Sequence, residues 1–255
     1  MTSLGEEIYL LRKKDVDQVE VYDVISYRLL RCLTAPNTRS FGDMTSCKHF
    51  LCLYIADPHV ECIHRLDLQG KSTQWPMNDR PMGLSVNADH NVIVTCKEVR
   101  KIKEFSPCGN LLLDVTLAGD VINPWHSIQL TNGHYIVCHG EPDDPMNRVC
   151  KVSEDGDNVI VSHGGQQGSN IGQYNVPHHL AVDDNEFVFV VDLYNHRVTL
   201  LSPTLDYIRQ VVSREQLKWR PLRLCLDVQR RRLYVTENEF KDHTFTAGRV
   251  VVFTV

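Results

Sequence analysis

An all-β chain, a six-bladed β-propeller of four-stranded antiparallel blades, is the fold class that this 255-residue sequence predicts. Three observations predict it. Four proline-led segments, Arg80–Val86, Asn123–Gln129, Val176–Val182 and Arg220–Leu226, repeat with their prolines 43, 53 and 44 residues apart, a period that marks propellers and solenoids. The strand that follows each one ends at Cys96, His139, Asp192 or Glu237, which lie 15, 15, 15 and 16 residues past the respective prolines. No apolar stripe recurs at helical spacing over ten or more residues with capping signals, so an α/β reading has no support.

Each repeat reads as a meander. After the proline comes an alternating strand, then a polar turn: Asn87–Asn91, Thr131–Gly133, Asp183–Asn185 or Asp227–Arg230. These residue types favour tight hairpins. A second strand rich in Val, Ile, Tyr and Phe follows, and turns such as Ser106–Asn110, Glu154–Asp157 and Ser202–Leu205 join a third and a fourth. Upstream, Leu53–Asp57 and Cys62–Leu66 supply the second and third strands of another copy. Ile8–Leu11, Val19–Tyr22 and Tyr27–Leu30 supply strands of one more. The reading is a single propeller domain with blades at about 5–41, 42–75, 76–120, 121–170, 171–213 and 214–255. Its first blade is expected to lack an inner strand and its last to stop after the third, at Val250–Phe253. A four-stranded sheet buries its two faces by stacking radially on its neighbours.

Composition bounds the rest. No apolar run approaches the roughly 20 residues of a membrane-spanning helix, and Met1–Glu7 lacks the marks of a secretory signal, so the expected setting is soluble, intracellular and cytoplasmic, with no membrane partner. Nine cysteines, an odd number, sit mostly in apolar strand-like runs and read as buried free thiols of a reducing compartment. Without a Cys-x-x-Cys pair a thiolate zinc cage is not expected. A net charge of −5 argues against indiscriminate polyanion binding.

The fifth unit carries the most specific pattern: Gly164-Gly165, Gly168 and Gly172-Gln173, then Pro177–Asp183, Val190–Asp192 and Asn195-His196-Arg197-Val198. This glycine-rich approach, proline-led strand and Asp-x-x-Asn-x-Arg turn resemble the NHL-repeat family. The other blades keep the spacing and lose parts of the pattern: Cys96 and His139 replace the aspartate, and Lys101 stands where Arg197 does. The resemblance covers most of the chain and implies a fold more than an activity. Members and relatives of that family bind protein partners, bind RNA on a basic face, or act as metal-dependent lyases and hydrolases.

In such a meander the start of the first strand and the end of the second emerge on one face. The long stretches His139–Asn147, His163–Asn175 and Asn238–Ala247 are expected there as irregular loops, where function usually sits. The repeat register sends His126, His178 and His179 to that face from strand starts, and Asp57, His139, Asp192 and Glu237 from strand ends. The Pro177-His178 step resembles the proline-histidine step that supplies zinc ligands in peptide-amidating lyases. Met82, Trp125 and Leu222 occupy the equivalent positions elsewhere, so His126 and His139 would have to complete a zinc or calcium site. The competing reading is that these histidines bond to loop carbonyls. Asp192, Asn195 and Arg197 read as structural, the carboxylate capping the turn and the guanidinium bracing a neighbour. The glycines of 164–172 lead into a strand rather than a helix, which excludes a dinucleotide fingerprint. Cys138 and His139, adjacent on one strand, face opposite ways and form no dyad. Arg214, Lys218, Arg220 and Arg223 around Trp219 would suit nucleic acid, opposed by Glu141, Asp143 and Asp144.

The function expected first is a non-enzymatic recognition scaffold without a cofactor. It binds a protein, peptide or glycan partner through a face around His126, His139, His178, His179, Arg223 and Glu237. A metal-dependent lyase or hydrolase stands second and RNA binding third.

Overall fold

The computed structural model of the protein describes residues 1–12, 18–34, 42–241 and 244–255. Strands are its dominant regular structure, and a short 3₁₀ turn at Arg214–Gln216 is the one helical element among the described residues. The chain is a six-bladed β-propeller, five of its antiparallel sheets having four strands and the last having three.

By contact density the chain divides into two units, Met1–Val115 and Thr116–Val255. The first holds β1 to β12 in three meanders: Thr2–Leu4, Glu7–Arg12, Gln18–Asp23 and Leu29–Thr34; Met44–Cys47, Cys52–Asp57, Cys62–Asp67 and Ser72–Pro76; and Gly83–Val86, Val92–Cys96, Lys101–Phe105 and Leu111–Thr116. The second holds β13 to β23: Pro124–Gln129, Tyr135–His139, Asn147–Val152 and Val159–Gly165; Pro177–Val182, Val188–Asp192, Arg197–Leu201 and Tyr207–Val212; and Arg220–Asp227, Arg232–Lys241 and Thr244–Thr254.

Burial follows position within the blade. The second strands β6, β10, β14 and β18 are buried along their whole length, as sheets covered on both faces require. The fourth strands β4, β8 and β12 are exposed at most positions, with single buried anchors at Leu33, Trp75 and Val115, and β16 alternates half-buried with exposed positions. This gradient explains why near-continuous apolar runs mark the second strands and weak alternation the fourth. Tyr9, Tyr54, Tyr135 and Tyr234 recur on second strands as fully buried rings. In the first unit one apolar cluster joins Tyr54, Ile63, Trp75, Val94 and Phe105. In the second unit Ile136, Val149, Tyr174, Leu180 and Val190 form another. All nine cysteines are free thiols, six of them buried.

Two expectations are corrected. The first blade has its inner strand: Thr2–Leu4 pairs antiparallel with β2 through Thr2↔Tyr9 and Leu4↔Glu7, and its three residues are too few to show an alternation. Of the stretch Asn238–Ala247, the described residues 238–241 and 244–247 are strand rather than irregular loop, and 242–243 lie outside the described residues. The strand that begins at Arg232 runs on to Lys241 and pairs with β23 through Asn238↔Gly248 and Glu239↔Ala247. Phe240, Thr244, Phe245 and Thr246 are strand formers, and the ladder extends where the sequence supplies them. The last sheet does stop after its third strand, as expected.

Candidate functional site

The second unit repeats one irregularity three times. In β13, β17 and β21 the proline is paired and the ladder then skips one residue: Pro124↔His139 then His126↔Cys138, Pro177↔Asp192 then His179↔Val191, Pro221↔Glu237 then Arg223↔Thr236; His139 and Asp192 end their strands, whereas Glu237 lies within β22. The skipped residues are Trp125, His178 and Leu222. Proline has no N–H to give the ladder, so the start of the strand is where a bulge costs least, and a bulge re-aims the side chain it carries.

All three bulged residues line one cleft of about 210 Å³, together with Val176, Leu193, Tyr194, Arg220, Glu141 and Asn238. The Trp125 and His178 rings lie 4.5 Å apart, tilted by 35°. Trp125 is fixed by its indole N–H, which donates to the Gly140 carbonyl at 3.1 Å. Opposite polarity comes from the Arg220 guanidinium, 4.4 Å from the centre of the Tyr194 ring. Val176 stands at φ +60, a conformation costly for a β-branched residue. Its N–H is held by Asn147 Oδ1 at 2.8 Å and its carbonyl by the Leu193 N–H at 3.1 Å, so the surrounding bonds impose the strain.

The histidines divide into different roles. Arg223 Nη1 lies 2.8 Å from His178 Nδ1 and 3.2 Å from the Leu222 carbonyl. The same Nδ1 also lies 3.2 Å from the Leu222 carbonyl, so a donor and an acceptor both stand against that side of the ring. His179 turns away from the cleft: its Nδ1 accepts the Leu224 N–H at 3.3 Å, and its ring lies 4.0 Å from that of His126, which is buried.

His139 is fully buried, with both ring nitrogens engaged: Nδ1–H donates to the Ile122 carbonyl at 3.1 Å, and Nε2 accepts from Arg148 Nε at 3.0 Å. Burial, and then the Arg148 charge, hold its pKa down at about 4. A neutral ring with no lone pair to spare is not a metal ligand, so His126, His139 and His178 do not make a three-histidine cage. Glu237 is equally buried. It accepts the Lys218 and Trp219 N–H groups at 2.8 and 2.9 Å and pairs with Arg249.

A common rule covers the strand-end residues that the register sends to this face. Asp192 accepts the Asn175 N–H at 2.8 Å, and His139 donates to Ile122; each ties the incoming chain to the end of a second strand, as Glu237 does. In the first unit Asp57 caps its own turn through the His59 N–H at 3.0 Å. The Asp-x-x-Asn-x-Arg turn works the same way. Asp192 Oδ2 accepts Asn195 Nδ2 and Arg197 Nε, both at 2.8 Å, and Arg197 then donates to the carbonyls of Ser169 at 2.9 Å and Gln173 at 2.6 Å. The glycine-rich approach is thus strapped down by its own blade. Burial pushes the Asp192 carboxyl pKa up, opposed by the Asn195, Asn175 and Arg197 donors.

Of the six side chains singled out for the binding face, only His178 lines the cleft, joined by Glu141 and Asn238 from two of the stretches expected there. Arg223 stands behind His178, against Nδ1. Tyr194, Leu193 and Val176 escape sequence reasoning. The signal for Trp125, His178 and Leu222 is present, since each follows the repeat's proline.

No protein-family model matches the chain, and no curated protein is similar to it in sequence. Solved structures share its fold. A chain of the nidogen/laminin complex superposes with a TM-score of 0.70 at 15% identity, covering 91% of this chain and 86% of that one. A protein of unknown function from Bacteroides caccae gives 0.69 at 12%, covering 92% and 84%. Streptogramin B lyase gives 0.65 at 10%, covering 100% and 81%. At such identities the likeness establishes the six-bladed fold.

Proposed function

We propose that this chain is an NHL-type propeller serving as a non-enzymatic recognition scaffold, with a peptide segment of a protein partner held in the cleft between Trp125, His178 and Tyr194. The observation that carries the reading is the threefold bulge, which turns Trp125, His178 and Leu222 out of three successive ladders into one hollow. Aromatic rings and an arginine on a rigid sheet edge are the groups that dominate recognition energetics, because they present large contact area at little entropic cost. Pre-ordering of Trp125 through Gly140 and of His178 through Arg223 serves the same end. The likeness to a chain of the nidogen/laminin complex is a likeness to a propeller found in a protein complex. Against catalysis stands the geometry of His139 and Glu237, whose functional groups are consumed by structural bonds.

The test is selection of a displayed peptide library on the purified chain, followed by fluorescence polarisation of the enriched peptides. Trp125→Ala is expected to weaken their binding by about tenfold or more, the loss of a buried aromatic anchor. Peptides that bind Trp125→Ala and His178→Ala as tightly as the parent would locate recognition elsewhere and overturn the reading.

A further inference from the structure

Arg220 is the anomaly of the cleft. It is half-buried, its guanidinium carbon lies 4.4 Å from the centre of the Tyr194 ring, and among the described residues it makes no ion pair with a carboxylate. Three other arginines of the second unit are paired with carboxylates: Arg148 with Asp120 at 2.6 Å, Arg197 with Asp192 at 2.8 Å and Arg230 with Asp227 at 3.0 Å. A guanidinium withdrawn from water is offset in those three cases by a carboxylate, and at Arg220 only by a ring face. Its charge is felt locally: Arg214 and Arg220 add to burial in holding the His196 pKa below the ordinary range. Lys218, two residues before it, is likewise held only over a ring, that of Trp219 at 4.3 Å, and makes no ion pair among the described residues.

The rest of the cleft limits what can satisfy this cation. Val176, Leu193 and Leu222 give it apolar walls, so an anion must arrive attached to something apolar. Glu141 lines the same cleft, and Asp143 and Asp144 follow it in the chain, which disfavours a polyphosphate track and tolerates a single carboxylate on the arginine side. A ring face offers a guanidinium no hydrogen-bond acceptor, so the N–H groups of Arg220 suit bidentate bonds, the geometry that a carboxylate matches.

We infer that the cleft selects an acidic peptide segment: an apolar or aromatic side chain enters between Trp125 and Tyr194, and a neighbouring Asp or Glu carboxylate pairs with Arg220. The inference rests on the recognition reading above and adds the chemical class of its ligand. Arg220 reads the charge, Trp125 reads the apolar anchor, and the two can be removed separately.

The experiment uses the full chain and the same displayed heptapeptide library, selected in parallel on the parent, Arg220→Gln and Trp125→Ala proteins, each first checked for an unchanged melting transition. Enriched peptides are resynthesised with a fluorescent label, once with each Asp or Glu and once with Asn or Gln in its place. Peptides enriched on the parent are expected to carry a carboxylate next to an aromatic or branched residue and to lose about tenfold in affinity on conversion to the amide, the scale of a charge-assisted pair. Arg220→Gln should bind both forms equally, at the level of the amide form on the parent. Arg220→Lys, which keeps the charge without the fork, should fall between. Enriched peptides without acidic residues, bound equally by Arg220→Gln and lost by Trp125→Ala, would overturn the acidic ligand while leaving the recognition site standing. Binding indifferent to both substitutions would overturn both. A single-stranded RNA oligomer that binds the parent more tightly than any peptide, with steep salt dependence and loss in Arg220→Gln, would overturn the peptide class in favour of nucleic acid.

Discussion

Single residues in this protein act through the bonds their position forces on them, and His139 shows it with a measurable sign. Its pKa in the folded chain is about 4, below the ordinary value of 6.5, so the unfolded chain takes up the proton first as pH falls. The stability contributed by the neutral ring is complete above about pH 6.5 and is lost as pH drops toward 4, up to about 3 kcal/mol for a shift of this size. His139→Gln should melt lower than the parent at pH 7, and the gap should narrow steadily as melting is repeated down to pH 4. A gap independent of pH would mean that the ring is not buried neutral. Gly140 gives a second prediction. It sits at φ +116, and a Cβ there would lie 2.5 Å from the Met146 carbonyl oxygen and 2.8 Å from the Asn147 Cα. Gly140→Ala should cost at least about 2 kcal/mol in denaturant unfolding, strain and backbone clash adding together. Because Gly140 also receives the Trp125 indole N–H, peptide binding should weaken in the same variant.

At the scale of the element, the turn Asp192 to Arg197 couples one blade to the loop that leads into it. The Asp192 carboxylate is fully buried and holds Asn175, Asn195 and Arg197 at once. Asp192→Ala leaves Arg197 beside carbonyls alone and should destabilise by about 3–5 kcal/mol, the cost of breaking a buried pair from one side. Urea unfolding of the single variants and of Asp192→Ala with Arg197→Ala would show it: the double variant is expected to lose much less than the sum, as coupled partners do. The sequence shows this turn clearly, as an Asp-x-x-Asn-x-Arg pattern, because all its partners lie within one blade and its entry. The bulges are legible only in part. Pro124, Pro177 and Pro221 mark where each strand begins, but an extra residue in one strand is a property of a pair, visible only when both are aligned.

On the scale of the whole molecule, the last sheet has three strands and depends on its final one. Residues Arg249 to Thr254 pair with β22 from Glu237↔Arg249 to Arg232↔Thr254, and Arg249 is the ion-pair partner of the buried Glu237. Deleting Arg249–Val255 strips one edge of β22, exposes Leu233 and Val235, and unpairs that carboxylate. We expect a cooperative loss of folded structure, read as a collapse of the thermal transition in circular dichroism. A melting curve unchanged by the deletion would show that the sheet is complete without β23.

What the sequence determines by itself is the repeat: the period of the prolines, the constant span to Cys96, His139, Asp192 and Glu237, and hence an all-β chain of six blades. These follow from local rules of strand alternation and turn chemistry, which need no knowledge of neighbours. What only the tertiary structure decided is which polar side chains remain available to a ligand. By register His139, His178 and Glu237 belong to one face. Packing then buries His139 between Ile122 and Arg148 and Glu237 beneath Lys218 and Trp219, while a bulge turns His178 into a cleft with Trp125 and Tyr194. Availability depends on partners remote in sequence, and no single strand carries that information.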